Sequence, residues 1–270
     1  MATQKADIPS AAEAVLLRDD KDGITTLTLN RPKSGNSLSH ELVQALQAAW
    51  NEIDEDVSVR VVILAASGRY FCTGHDLNES ISAMDKPLSK LAANRQCSAM
   101  MQSMLKLSKP IIAKVNGVAT AAGCQLVASC DLALASTEAR FATPGVNIGL
   151  WCLSPQVAIS RTIAPKHAMQ MLLTGKMADV ETALRFGLIN EAVTSTDLDT
   201  RATELATEIA SKSSYSLAMG KRSFYRQLTM PIDEAYEYVD EVIVRAIQSE
   251  DAREGISAFL DKRKPKWAGR

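Results

Sequence analysis

The chain has almost no charge imbalance: 30 lysines and arginines face 31 aspartates and glutamates, for a net charge of −1 over 270 residues. Nothing in that balance draws it broadly to nucleic acid or to an anionic membrane surface. It also lacks any apolar run long enough to span a bilayer. Its five cysteines, Cys72, Cys97, Cys124, Cys130 and Cys152, show no metal-ligand spacing, and only His40, His75 and His167 could join them. A zinc site is therefore not expected, and reduced core thiols are. The first segment, Met1 to Asp20, has neither a signal-peptide core nor an Arg-rich, acid-poor leader composition, so the expected location is cytoplasmic. No linker rich in proline, glycine or serine divides the chain. The length suits one large domain or a domain with an appendage.

What is present reads as alternating strand and helix, which argues for an α/β fold. Gly23 to Leu29 is β-branched and predicts a strand. Residues 30–36 are turn material. Ser39 can cap a helix from about His40 to Asp54, with Leu42, Leu46, Ala49 and Ile53 on one face. Val59 to Ala66 is continuously apolar, as in a strand buried on both faces. Ser67 to Asp76 reads as a loop. Residues 77–108 are Met- and Ser-rich and read as partly helical, the place to look for a mobile segment. Pro110 to Val115 predicts a strand, Ala122 to Ser129 a helix and Asp131 to Ala135 another strand. After Pro155 the pattern is mostly helical, and Leu198 to Lys262 is amphipathic helix almost throughout. The expected organisation is a core over 1–197 and a helical region over 198–270 that packs on the core or on a neighbouring subunit.

Two short segments carry candidate chemistry. Phe71-Cys72-Thr73-Gly74-His75-Asp76 and Ala121-Ala122-Gly123 are strand-to-helix turns built from small residues. Such turns leave main-chain N–H groups free to point outward, and the second stands at a helix N-terminus, where partial positive charge accumulates. Each alone is equally a tight packing turn. Aimed together at one carbonyl oxygen, they would stabilise a developing anion.

The pair occurs with Leu29-Asn30-Arg31-Pro32, Lys109-Pro110-Ile111-Ile112-Ala113, Val115-Asn116-Gly117, Ala122-Gly123-Cys124-Gln125-Leu126, Cys130-Asp131, Phe141-Ala142-Thr143-Pro144, Leu173-Thr174-Gly175, Gly187-Leu188 and Glu254 to Phe259. In that combination the chain resembles the enoyl-CoA hydratase/isomerase family, the crotonases, over about residues 20–267. The resemblance implies a spiral core of repeated ββα turns with a helical C-terminal region, assembled as homotrimers or paired trimers. It implies a coenzyme A thioester as substrate and no permanently bound cofactor. The family's two oxyanion donors fall on the N–H of His75 and of Ala122.

The same resemblance implies an altered acid–base pair. The two glutamates used by hydratases fall on Gln125 and Gly145, neither of which ionises. An aspartate used by some relatives falls on Leu153. The His75 side chain either packs or acts in the pocket, and Asp76 and Glu79 either cap the next helix or take part in chemistry. Asn147, Trp151 and Cys152 are wall or acyl-pocket residues. For coenzyme A, the implied contacts are Arg31 and Lys33 after the first strand, Asp76 and Leu77 after the first small-residue turn, and Phe259 and Lys262 near the end of the chain. Lys262 is equally a basic residue complementing a helix C-terminus. Some relatives bind RNA through a lysine-studded first helix. Here residues 40–56 hold no lysine and are acidic, so phosphate contacts are not expected there.

Overall fold

Both faces of the central sheet are covered, and the sequence shows why. In chain order the elements are β1 (Leu16–Lys21), β2 (Ile24–Leu29), α1 (His40–Glu55), β3 (Val61–Ala66), β4 (Tyr70–Cys72), α2 (Leu77–Ser82), α3 (Pro87–Lys106), β5 (Ile111–Val115), β6 (Val118–Thr120) and α4 (Ala122–Ser129). They continue with β7 (Leu132–Ser136), β8 (Arg140–Ala142), α5 (Leu153–Thr162), α6 (Pro165–Thr174), α7 (Val180–Phe186), β9 (Glu191–Val193), α8 (Leu198–Ala210), α9 (Ser214–Gln227), α10 (Ile232–Gln248) and α11 (Glu250–Leu260). The computed structural model describes residues 14–82 and 84–270. Part of the Met1 to Asp20 reading lies outside the described residues.

Six strands form one sheet in the order β1-β2-β3-β5-β7-β9, and β4-β6-β8 form a second. All pairs are parallel except β1 with β2. Successive turns of chain give one strand to each sheet: β3 then β4, β5 then β6, β7 then β8. This stacks the ends of the short strands beside one another. β3 alternates between two cores: Val62 and Leu64 pack with α1 residues Leu42, Leu46, Trp50 and Ile53, while Val61 and Ile63 pack with Ile112, Leu134 and α8 residues Leu198, Ala202 and Ala206. Burying one such side chain contributes roughly 1.5–3 kcal/mol. The first helix of the 198–270 region therefore belongs to the core packing.

Several sequence expectations need correction. β1 was not anticipated, because Leu-Leu-Arg-Asp-Asp-Lys is charged; its last four residues are exposed, as suits an edge strand. β4 lies inside the stretch expected as loop, and β6, β8 and β9 were also missed. Each is three residues long, too short to show a period. Residues 77–108 hold two helices, and α3 runs for 20 residues, burying Cys97, Met100, Met101 and Met104. α1 is capped as expected: Ser39 Oγ accepts from the Leu42 N–H at 3.2 Å.

Helix α9 is tied to the core by a buried cation. Lys221 Nζ donates to Asp131 Oδ2 (2.7 Å) and to the carbonyls of Met104 (2.9 Å) and Lys109 (3.0 Å). Asp131 also accepts from the Ile111 N–H (2.7 Å) and the Tyr225 hydroxyl (2.9 Å). All five cysteines are buried and unpaired. Burial raises the thiol pKa of Cys97 to about 11 and those of Cys72 and Cys124 to about 12.

Candidate active site

The two small-residue turns meet. Thr120 Oγ1 donates to the Thr73 carbonyl (3.0 Å), holding the end of β6 against the residues after β4. Helix α4 begins directly on β4: a Cβ added at Gly123 would fall 2.0 Å from Cys72 O. Only glycine permits that approach. A Cβ at Gly74 would fall 2.9 Å from Ala121 Cβ and 3.4 Å from Ala122 N, so the two turns lie side by side.

The backbone there is bent into conformations that side chains disfavour. Gly74 has φ +104, and Ala121, with φ 50 and ψ −118, is a non-glycine residue in a region that L-residues avoid. Such strain clusters at functional sites. Its consequence is visible in the hydrogen bonds. Ala121 N–H donates to the Ala142 carbonyl (2.9 Å), and the turn then reverses direction, so Ala122 opens α4 with its N–H free of any acceptor among the described residues.

His75 is placed from the other side. Asn36 donates to the carbonyls of Ser67 (2.8 Å) and Tyr70 (2.7 Å), pinning the segment after β2. That segment runs along residues 73–76: Thr73 N–H donates to Gly35 O (3.0 Å), Leu38 N–H to Gly74 O (2.7 Å) and Asp76 N–H to Leu38 O (3.2 Å). In this parallel bridge the polar groups of 74 and 76 face Leu38, so the N–H of His75 faces away from it. It too has no acceptor among the described residues.

His75 lines a small cavity of about 60 Å³, with Val43 of α1, Glu79 of α2 and Lys90, Asn94 and Cys97 of α3 also in its wall. Burial, and then the Lys90 ammonium, holds its pKa below the usual value. Glu79 caps α1, accepting from the His40 N–H at 2.9 Å. Asp76 accepts from Asn78 N–H (3.1 Å), Ser37 Oγ (3.1 Å) and Arg31 Nη2 (3.2 Å). Burial alone would raise its pKa, but these bonds outweigh it and the carboxyl is held below its usual range. Arg31 also donates to the Ser37 carbonyl at 2.6 Å, so its guanidinium is engaged within the loop.

Gln125 stands one turn along α4 from Ala122 and is 5% exposed. Gly145 lies in the 3-10 helix Pro144–Ile148, beyond β8. A Cβ there would sit 3.1 Å from both Cys152 N and Cys152 Sγ, so the loop leaves little room for a side chain. Trp151 donates its indole N–H to Gln156 Oε1 (2.7 Å). Leu77, Lys33 and Asn147 are exposed, and Leu153 opens α5 facing outward. Phe259 and Lys262 lie at the end of α11, and no hydrogen bond or ion pair among the described residues joins them to the cluster. Thr143 was missed by the sequence reading. It is 1% exposed at the end of β8, and nothing in the sequence distinguishes it from an ordinary turn threonine.

Among the described residues, no group of three or more His, Cys, Asp or Glu side chains could hold a metal ion. No helix there is long and apolar enough to cross a membrane.

Known proteins resemble this chain in sequence and fold. The family model described as enoyl-CoA hydratase/isomerase matches residues 19–270. The Xenopus laevis protein named enoyl-CoA hydratase domain-containing protein 3, mitochondrial, is 41% identical over 91% of this chain and 83% of its own length. Its Homo sapiens counterpart is 39% identical over 92% of this chain and 81% of its own length. A crystal structure of a Mycobacterium smegmatis enoyl-CoA hydratase superposes with a TM-score of 0.91 at 43% identity, covering 94% of this chain and 99% of that one. The human enoyl Coenzyme A hydratase domain-containing protein 3 superposes at 0.90, covering 94% and 100%. The mitochondrial names of these relatives overturn the cytoplasmic expectation. That expectation rested on an absence near the N-terminus, and a folded core carries no mark of its compartment. Sequence, topology and superposition agree: this chain belongs to the enoyl-CoA hydratase/isomerase family and has the crotonase fold.

Proposed function

We propose that the chain acts on an acyl-CoA thioester whose carbonyl oxygen accepts hydrogen bonds from the N–H groups of His75 and Ala122. The observation that carries this reading is the pair of unsatisfied main-chain donors on adjacent strained turns. As negative charge builds on the thioester oxygen, both bonds strengthen, and the N-terminus of α4 adds its dipole. One such donor contributes about 10²–10³ in rate.

The finer reaction follows from what stands beside those donors. Gln125 is a carboxamide and neither takes nor gives a proton at neutral pH. Gly145 has no side chain, and its crowded surroundings disfavour one. A positioned general base contributes about 10²–10⁴ in rate, so hydration of an enoyl thioester is poorly served here. Decarboxylation of a malonyl-type thioester suits the site better. The Cα–carboxylate bond breaks, its electron pair moves into the thioester to form the enolate, carbon dioxide departs, and Cα then takes a proton from water. No carboxylate base is needed at the first step.

Coenzyme A would lie along the Arg31–Lys33 segment and the Asp76–Leu77 turn. Phe259 and Lys262 are exposed at the end of α11, as is Leu260, a disposition suited to completing a neighbour's site in a homotrimer or hexamer. Separate incubation with methylmalonyl-CoA and crotonyl-CoA tests the reading. Carbon dioxide release from the first without hydration of the second is expected. Efficient hydration of crotonyl-CoA overturns the decarboxylative reading. Binding without turnover of either makes the chain a thioester-binding protein, and failure to bind any acyl-CoA removes the oxyanion assignment.

A further inference from the structure

Two buried polar atoms on the segments that adjoin Ala122 have no hydrogen-bond partner among the described residues: Gln125 Oε1 and Thr143 Oγ1. Buried polar groups are paired in the great majority of cases, so each orphan calls for a partner that the protein itself does not supply. Their placement is specific. Gln125 follows Ala122 by one turn on the same side of α4. Thr143 follows Ala142, whose carbonyl takes the Ala121 N–H, so it approaches the same turn from β8.

The Thr143 hydroxyl is withheld from local roles. It precedes the 3-10 helix Pro144–Ile148, where a threonine usually caps, yet it makes no cap bond. Other threonines in this chain use their hydroxyls nearby: Thr162, Thr174, Thr203 and Thr207 each donate to the carbonyl four residues back. Those four are on exposed or helical surfaces, whereas Thr143 is nine-tenths buried and unengaged.

We infer that Thr143, together with Gln125, is a specificity residue that binds an oxygen substituent on the acyl group, close to the thioester. This rests on the acyl-CoA reading, because the Ala122 N–H fixes where the thioester oxygen lies. The substituent is a hydroxyl or a carboxylate. A hydroxyl of the ligand finds both a donor and an acceptor in this pair. A carboxylate finds two donors once the Gln125 carboxamide presents its NH₂.

The test is calorimetric binding of butyryl-CoA, 3-hydroxybutyryl-CoA and succinyl-CoA, a carboxylate thioester that does not lose carbon dioxide through an enolate, to the wild type, Thr143→Val and Thr143→Ser, with melting temperature as a check on folding. The wild type should bind at least one oxygenated thioester about tenfold more tightly than butyryl-CoA, the margin of one buried hydrogen bond. Thr143→Val should erase that margin and leave butyryl-CoA affinity unchanged, and Thr143→Ser should keep it. Which oxygenated ligand gains identifies hydroxyl or carboxylate. Equal weakening of all three ligands by Thr143→Val makes Thr143 structural and overturns the inference. So does an unchanged margin, which would leave the hydroxyl to water. A folded wild type that fails to bind butyryl-CoA brings down the acyl-CoA reading, and this inference with it.

Discussion

Replacing Gly123 by alanine would set a Cβ 2.0 Å from Cys72 O and 2.6 Å from its carbonyl carbon. An ordinary carbon contact is ~3.5–4.0 Å, so α4 and β4 must part by more than about 1 Å. Both clashing atoms are main chain, so no rotamer change relieves the overlap. Overpacking typically costs ~1–3 kcal/mol, and this contact belongs at the upper end. For a chain of this size such a loss lowers Tm by roughly 6–12 °C. The functional cost should exceed the stability cost. Ala122 is the first residue of α4, and displacing a catalytic group by about 1 Å costs on the order of 10²-fold. Differential scanning fluorimetry would read the first effect, and acyl-CoA turnover and affinity the second. Gly220→Ala is the control: nothing lies within 4 Å of a Cβ there, so it should stabilise α9 by about 0.5–1 kcal/mol. A Gly123→Ala protein with wild-type Tm and undiminished thioester affinity would refute the claim that the β4–α4 contact sets the Ala122 N–H.

Gln125→Glu places an ionisable group one turn from Ala122 and should raise crotonyl-CoA hydration by about 10², followed by loss of enoyl absorbance; unchanged hydration would remove position 125 from the site. Lys221→Met leaves the Asp131 carboxylate without its cation and should cost about 3 kcal/mol in urea denaturation, while a wild-type midpoint would deny the tether on α9. Asp76 has a folded pKa below its unfolded value of about 3.9, so its contribution is present above that pH and is lost as pH falls through the folded value. Asp76→Asn should therefore flatten the acid limb of the stability profile below about pH 4, and an unaltered limb would contradict the role of the Arg31–Asp76 pair.

The long elements were legible because each repeats a physical demand along the chain. α1 shows its buried stripe at Leu42, Leu46, Ala49 and Ile53, and β3 is buried without a break from Val61 to Ala65. The short strands β4, β6 and β8 were not legible, since three residues hold no period, and they exist only because the neighbouring strands supply their hydrogen bonds. The charged edge strand β1 was hidden for the opposite reason: its sequence answers to solvent more than to a core.

At the site the same division holds. The sequence by itself determined where backbones must approach closely, because small residues at Gly74, Ala121, Ala122 and Gly123 are what such contact tolerates. It also determined that positions 125 and 145 hold a glutamine and a glycine, neither of which ionises. Only the tertiary structure decided that the segment after β2 leaves the His75 N–H facing away from Leu38, that Arg31 is engaged with Asp76, that position 145 is crowded by Cys152 and that Thr143 is buried without a partner among the described residues. Those facts depend on segments far apart in the chain, and their positions are set by packing rather than by any local preference.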